Sequence, residues 1–166
     1  MGEKRLLLII NPISGAYDKR GLDTFVSQRM AKVGYSVETV YTKGCGDASL
    51  YAQRAIADGF DAVAVAGGDG TINEVANGIR GFDNAAMTCI PVGTGNDFLK
   101  NFGGTAALFS QAENLWNGPE FSLDAIDCNG RIAMTIACSA IFLSKKQQFS
   151  TLMSAIEVVY FAVDVD

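Results

Sequence analysis

Histidine is absent from this sequence, so the commonest general base and the commonest metal ligand are excluded from its chemistry. The four cysteines are widely spread and form no C-x-x-C pair, which favours reduced, structural thiols in a cytoplasmic protein. Long apolar runs are lacking too, since the longest, Ile132–Leu143, is well short of a bilayer span. We therefore expect a soluble cytoplasmic protein, and peripheral contact with the inner membrane surface stays open.

An excess of positive charge is also lacking. Lys and Arg number 13 against 18 Asp and Glu, a formal net charge of −5, which argues against binding nucleic acid through its phosphates. Hydrophobic residues make up 49% of the 166 positions, enough to bury a core. Glycine is abundant, and its 18 residues gather at a few points, so we interpret these clusters as functional turns.

Short apolar runs alternate with helical patterns along the first part of the chain. Continuous runs such as Arg5–Ile10 are typical of strands buried on both faces of a parallel sheet. The βαβαβαβ order predicts an α/β fold, a three-layer parallel sheet with helices on both faces. The predicted elements are strand Arg5–Ile10, helix Leu22–Val33, strand Tyr35–Tyr41, helix Ala48–Ala57, strand Asp61–Ala66, helix Thr71–Ile79 and strand Ala86–Val92.

The pattern changes after Phe98. Asn129-Gly130 is a strong hairpin signal and joins two further predicted strands. The structure of Lys145–Asp166 could not be assigned. The elements predicted in this part of the chain are helix Ala106–Asn117 and strands Phe121–Asp127 and Arg131–Cys138.

Three loops are predicted to leave the carboxyl ends of the parallel strands, where ligands bind in open α/β sheets. They are Asn11–Gly15 (loop 1), Gly67–Thr71 (loop 2) and Gly93–Asp97 (loop 3). All three combine glycine with small polar side chains. We therefore expect them to converge on one crevice.

Loop 2, Gly67-Gly68-Asp69-Gly70-Thr71, lies between a predicted strand and a predicted helix. Glycines there allow backbone N–H groups to approach an anion, and the helix N-terminus adds partial positive charge, which suits phosphate. A carboxylate repels phosphate unless a cation lies between them, so Asp69 indicates Mg²⁺, bound directly or through water. The alternative is a tight turn in which Asp69 caps the helix.

Three named nucleotide motifs are excluded. A Walker A loop needs a Gly-Lys pair, which this chain does not contain. The dinucleotide fingerprint G-x-G-x-x-G is approached by Gly93–Phe98, but Phe98 stands where the last glycine belongs. A protein-kinase loop needs an H-R-D partner, which is impossible without histidine.

The three loops resemble the signatures of the diacylglycerol kinase catalytic domain family. The resemblance rests on Asn11–Gly15, on Gly67–Thr71 followed by Asn73–Gly78, and above all on Pro91–Phe98. The last pattern, Pro-x-Gly-Thr-Gly-Asn-Asp-Phe, separates lipid kinases from NAD kinases and phosphofructokinases. The resemblance implies the nucleotide-binding fold shared by NAD kinases and diacylglycerol kinases, and transfer of the ATP γ-phosphate to the hydroxyl of diacylglycerol or a similar lipid.

By this resemblance, ATP is held by residues of all three loops and by one threonine after the second strand. Asp69 and Asp97 are implied in catalysis, and Asp69, Asp97 and Asp124 in binding Mg²⁺. Taken alone, Asp97 could cap a helix and Asp124 could be an exposed strand residue. The implied nucleotide-binding residues are Asn11, Ser14, Gly15, Thr42, Gly67, Gly68, Gly70, Thr71, Gly93, Thr94 and Asn96.

For three charged residues beside the loops, the sequence leaves two alternative roles open. Lys19 and Arg20 follow loop 1 and could steady phosphate charge, or could form a solvated helix start. Glu74, one turn into the helix after loop 2, could support that loop or take part in the chemistry directly.

The resemblance fades after Cys138, where the family has a β-rich domain that holds the lipid and supplies the general base. We therefore interpret residues 1–120 as the nucleotide-binding domain and residues 121–166 as the start or remnant of the lipid-binding domain. A truncated chain of this kind is expected to bind ATP but to transfer its phosphate poorly. The alternatives are an NAD kinase or sugar-phosphate kinase relative and a non-catalytic nucleotide-binding module, and a homodimer stays open.

Overall fold

The structure is a computed structural model, and it describes residues 3–16, 18–82, 85–100, 120–128, 130–134 and 152–161. Strands and helices alternate through the first part of the chain, as the sequence predicts. The elements are β1 (Lys4–Ile10), α1 (Leu22–Ala31), β2 (Tyr35–Tyr41), α2 (Asp47–Ala57), β3 (Ala62–Gly67), α3 (Asp69–Ile79), β4 (Ala86–Pro91), α4 (Asp97–Lys100), β5 (Glu120–Cys128), β6 (Arg131–Ala133) and β7 (Leu152–Phe161).

The first four strands form a parallel sheet in the order β2-β1-β3-β4, which confirms the predicted α/β class. Beyond β4 the order continues β7-β5-β6. β7 pairs with β4 in parallel and with β5 in antiparallel orientation, and β5 and β6 form an antiparallel hairpin. Gly130 in the hairpin turn has a φ of 84°, the left-handed conformation that makes Asn-Gly a turn signal. The predicted helix 106–117 lies outside the described residues.

Both faces of the parallel sheet are covered. Every residue of β3 is buried, as are Leu6–Ile10 of β1, although successive strand residues point to opposite faces. The helices α2 and α3 pack closely: a Cβ on Gly78 of α3 would lie 2.3 Å from the carbonyl oxygen of Ser49 on α2. In the described part of the chain, no helix is long and apolar enough to cross a membrane.

The strand order creates a crevice at the carboxyl ends of β1 and β3. The chain leaves β1 toward β2 on one side, whereas β3 and β4 lie on the other side. Where neighbouring parallel strands connect in opposite directions, at a topological switch point, their loops diverge and leave room for a ligand between them. Loop 1 follows β1 and loop 2 follows β3, so the sheet topology places both of them at this crevice.

Candidate active site

A cavity of about 600 Å³ lies over the carboxyl ends of β1, β2 and β3. Loops 1 and 2 form two of its walls, and the segment after β2 forms the third. Six of the eleven nucleotide-binding residues that the sequence predicts lie in its lining. The lining residues are Asn11, Pro12, Ile13, Ser14, Thr42, Lys43, Gly44, Cys45, Gly68, Gly70, Thr71 and Glu74.

Asn11 joins loop 1 to the start of α3. Its side-chain Nδ2 donates a hydrogen bond of 2.9 Å to Oγ1 of Thr71. Its Oδ1 accepts from the backbone N–H of Ile13 at 3.1 Å, and its backbone carbonyl accepts from the Ser14 hydroxyl at 3.0 Å. Asn11 therefore fixes the shape of loop 1 and its distance from loop 2.

Loops 1 and 3 touch at backbone level. Gly15 has a φ of +59°, and a Cβ built on it would lie 2.0 Å from the carbonyl oxygen of Val92. Only glycine fits such a conformation and such an approach. Gly15 does not line the cavity, and the role that the structure shows for it is to allow loop 1 to pack closely against the start of loop 3.

Loops 2 and 3 touch in the same way. A Cβ on Gly93 would lie 2.4 Å from the Cα of Gly68, and a Cβ on Gly67 would lie 2.6 Å from the Cβ of Thr71. Gly67 and Gly93 thus have a packing reason to be glycine and lie outside the cavity lining. Gly68 has a φ of −95°, so its conformation does not require glycine, and a Cβ on Gly70 would meet no protein atom within 4 Å.

Asn96 shapes loop 3 from within. Its φ is +50°, the left-handed region that asparagine tolerates better than most residues. Its Oδ1 accepts from the backbone N–H of Gly93 at 3.1 Å, and its Nδ2 donates to the Gly93 carbonyl at 2.9 Å. The side chain is buried and bonds to its own loop. Thr94 is exposed, and neither residue lines the cavity.

Asp69 bridges loop 2 and loop 3. It is the first residue of α3, and Gly68 rather than Asp69 occupies the N-cap position. The alternative in which Asp69 caps the helix is therefore wrong. Oδ1 of Asp69 accepts a 2.8 Å hydrogen bond from the backbone N–H of Phe98, a buried residue at the start of α4.

A second carboxylate lies beside Asp69. A Cβ on Gly95 would lie 3.2 Å from Oδ2 of Asp69 and 3.6 Å from Oδ2 of Asp97, so both oxygens border the same small space. Asp97 is the first residue of α4. Mg²⁺ in nucleotide sites is usually held by one or two carboxylates together with water and phosphate oxygens, and these two carboxylates could supply the protein's share of such a donor set.

Asp124, the third carboxylate assigned to the metal, lies in β5 opposite Ala155 of β7. Its side chain lies outside the described part of the chain. Within the described part, no group of three or more acidic, cysteine or histidine side chains could hold a metal ion. The role of Asp124 therefore stays a prediction.

The basic residues after loop 1 contact the protein rather than the cavity. The Lys19 ammonium donates to the carbonyl oxygens of Pro12 and Ser14, which braces loop 1. Arg20 forms an exposed ion pair of 2.6 Å with Asp18, and its hydrogen bonds hold the pKa of that carboxyl below its usual value.

Cys89 on β4 is excluded as a nucleophile at this site. Its side chain is buried, and desolvation together with the charge of Asp69 raises the pKa of the thiol. The thiolate is the reactive form of cysteine, so a thiol held neutral in this way is inert. The burial of Cys89 agrees with the expectation that the cysteines are reduced and structural.

The sequence did not single out the short segment Lys43–Cys45, which forms one wall of the cavity. Oδ2 of Asp47 accepts from the backbone N–H groups of Lys43 and Gly44, at 2.7 and 3.0 Å, and so fixes that wall. An acidic residue just ahead of a predicted helix could have indicated such a turn. Glu74 is half-buried in the opposite wall and also lines a second cavity of about 430 Å³.

The diacylglycerol kinase catalytic domain model matches residues 5–128, which include all three loops and β5. The chain belongs to this family. A diacylglycerol kinase of Bacillus subtilis (strain 168) is 38% identical over 136 residues, which cover 81% of this chain and 45% of the relative. A diacylglycerol kinase of Staphylococcus aureus (strain bovine RF122 / ET3-1) is 44% identical over 98 residues, 57% of this chain and 30% of the relative.

A solved structure shares the fold. The crystal structure of a diacylglycerol kinase from Bacillus anthracis str. Sterne superposes with a TM-score of 0.66 at 31% sequence identity. The match covers 78% of this chain and 47% of that chain. The chain therefore spans less than half the length of these relatives.

Proposed function

We propose that this chain is the nucleotide-binding part of an ATP- and Mg²⁺-dependent lipid kinase that transfers the γ-phosphate of ATP to a lipid hydroxyl. The observation that carries the proposal is the cavity between loops 1 and 2 in a member of the diacylglycerol kinase family. Asp69 and Asp97 do not line this cavity, but Asp69 lies between its lining residues Gly68 and Gly70, and both carboxylates lie next to Gly95. Phosphoryl transfer depends mainly on positioning and on neutralising charge, and these loops can contribute to both.

The phosphates of ATP are proposed to bind at the start of α3. Backbone N–H groups of a first helical turn have no partner within the helix, and the helix dipole favours an anion there. Gly68, Gly70 and Thr71 line the cavity at this turn. The Thr71 hydroxyl accepts from Asn11 and keeps its own proton to donate to a phosphate oxygen.

Asp69 and Asp97 are proposed to hold Mg²⁺, because two adjacent carboxylates next to bound phosphate need a cation between them. When bound, Mg²⁺ would neutralise phosphate charge and orient the γ-phosphate. The protein contributes the geometry: the Phe98 N–H fixes Asp69, and Gly95 leaves the space between the two carboxylates.

The adenosine end of ATP is proposed to lie toward the wall after β2. Thr42 is 9% exposed and lines the cavity there, beside Lys43. A hydroxyl and an ammonium group at this wall can bind ribose or α-phosphate oxygens. The lipid acceptor would then approach from the open side, which fits peripheral contact with a membrane surface.

The acceptor class can be tested with labelled ATP. The purified chain is incubated with Mg²⁺ and with mixed micelles of diacylglycerol, with NAD, or with sugar phosphates. We expect the label that is transferred to lie in the lipid fraction, and to form slowly, because this chain alone is expected to transfer phosphate poorly. Label in NADP or in a sugar bisphosphate would favour the related kinase classes, and ATP binding without any turnover would favour a non-catalytic module.

The loop can be tested with Gly70→Ala. Gly70 lies in the first turn of α3, and a Cβ there meets no protein atom within 4 Å, so stability should stay equal or rise by up to about 1 kcal/mol. ATP affinity should fall on the order of tenfold, because the methyl group would occupy the space next to phosphate. Thermal melting and calorimetric titration measure the two effects.

The matched control for Gly70→Ala is Thr24→Ala, a change at an exposed residue of α1 that does not line the cavity. It also improves helix propensity and should leave ATP affinity unchanged. Unchanged affinity in Gly70→Ala as well would mean that loop 2 is only a turn.

A further inference from the structure

One face of α3 is hydrogen-bonded to the β5–β6 hairpin through three side chains. Oδ1 of Asn73 accepts from the backbone N–H of Met134 at 3.1 Å. Asn77 makes two bonds to the backbone of Ile132, and Arg80 donates to the Gly130 carbonyl at 2.7 Å. Arg80 also pairs with Asp127 of β5 at 2.5 Å.

The side chain of Asn77 pairs with the backbone of β6 as a neighbouring strand would. Its Oδ1 accepts from the N–H of Ile132 and its Nδ2 donates to the carbonyl of Ile132, both at 2.9 Å. An amide side chain carries the same donor and acceptor pair as a peptide group. Ile132 is 2% exposed on the terminal strand of the sheet, so these bonds satisfy backbone groups that burial would otherwise leave unpaired.

The helix and the strand match in length along this contact. From Asn73 to Asn77 an α-helix rises about 6 Å. From Met134 back to Ile132 a strand covers about 7 Å. The hairpin therefore runs alongside α3, with its turn at Arg80 and its open end toward loop 2.

This register brings the backbone of Asp124 to the level of loop 2. Asp127 pairs with Ile132, so it lies level with Asn77. Asp124 precedes Asp127 on β5, and the strand covers about 10 Å between them. From Asn77 back to Gly70 the helix α3 covers about the same length. Asp69 and Asp124 are thereby brought to the same end of the contact.

We propose that Asn73, Asn77 and Arg80 are positioning residues that hold β5 in the register where Asp124 can act at the Asp69 site. The inference rests on the proposed function, in which Asp69 helps to hold Mg²⁺, and it adds Asp124 as a further residue that acts on the same ion. Residues that orient metal ligands without touching the metal typically change metal affinity by about 10- to 100-fold when mutated. A contact that only stabilised the fold would not change it selectively.

The test measures the Mg²⁺ gain, defined as the ratio of the ATP dissociation constants without and with Mg²⁺. It compares the wild-type chain with Asn77→Asp, Asp124→Asn and the double variant. Asn77→Asp keeps the acceptor for the Ile132 N–H and loses the donor. We expect each single change to lower the gain on the order of tenfold, and the double change to lower it no further.

Two controls separate positioning from loss of fold. Gln28→Ala, at an exposed residue of α1, removes an amide outside the contact and should leave the gain unchanged. Asn73→Ala removes a single hydrogen bond and should lower the gain, whereas Asn73→Asp keeps the accepting oxygen and should restore it. This pair carries the test if Asn77→Asp does not fold.

The possible outcomes separate this inference from the proposed function. Multiplied losses in the double variant, or an Asn77→Asp variant that melts earlier with its gain intact, would overturn the inference. An unchanged gain in Asp124→Asn with a lost gain in Asp69→Asn would overturn it too, while leaving the proposed function in place. A wild-type chain without any Mg²⁺ gain would contradict both this inference and the Mg²⁺ dependence in the proposed function.

Discussion

Asp69→Asn is expected to remove most of the ATP affinity that Mg²⁺ adds, a loss on the order of 100-fold or about 2.8 kcal/mol. The substitution keeps the size of the side chain and an oxygen that can accept from the Phe98 N–H, so the link between loops 2 and 3 should survive. What disappears is the negative charge that attracts the cation. Without Mg²⁺, affinity should stay equal or rise, because a carboxylate next to phosphate repels it.

Calorimetric titration of ATP with Mg²⁺ and with EDTA tests this prediction. The matched control is Asp61→Asn, a carboxylate that also accepts a backbone N–H, that of Arg5, but at the opposite end of β3. The control should change neither affinity. Equal losses with and without Mg²⁺ in Asp69→Asn would show that its side chain acts through the fold and not through a metal.

The parallel sheet was predictable because burial leaves a direct trace in the sequence. The inner strands β1 and β3 are covered on both faces, so they appear as apolar runs in the sequence. The edge strand β2 is only partly buried, and its bounds in the structure are the predicted ones. The start of α3 was predicted two residues late, at Thr71 instead of Asp69. The apolar pattern begins only with Ile72, so it does not report the polar first turn.

The reasons for the glycines were only partly predictable. The sequence indicated close approach to phosphate, and Gly68 and Gly70 do line the cavity. For Gly15 and Gly93 the close neighbour is another loop of the same protein. Such contacts depend on the spacing between β1, β3 and β4, which a pattern along one chain does not contain.

The asparagines of α3 are a further signal in the sequence. Asn73 and Asn77 are poor helix formers placed four residues apart, on one face of an otherwise regular helix. Polar amides at that spacing indicate a partner with its own backbone groups to satisfy. Which partner it is, the β5–β6 hairpin, depends on tertiary packing and could not be predicted.

Gly15→Ala is expected to combine a loss of stability with a loss of ATP binding. Alanine in the left-handed region costs about 1–3 kcal/mol. The added Cβ would also lie 2.0 Å from the Val92 carbonyl oxygen, so loop 1 has to move away from loop 3. Ser14 and Asn11, which line the cavity next to Gly15, would move with it, and we expect ATP affinity to fall at least about tenfold.

Gly21→Ala separates the two causes. Gly21 has a φ of +79° but no protein atom within 4 Å of a built Cβ, so it carries the conformational cost without the clash. Each kcal/mol should lower the melting temperature by about 2–4 °C in a domain of this size. Both variants should melt earlier, Gly15→Ala by more, and only Gly15→Ala should bind ATP more weakly. Equal melting shifts and equal ATP affinities in the two variants would mean that the contact between loops 1 and 3 does not shape the site.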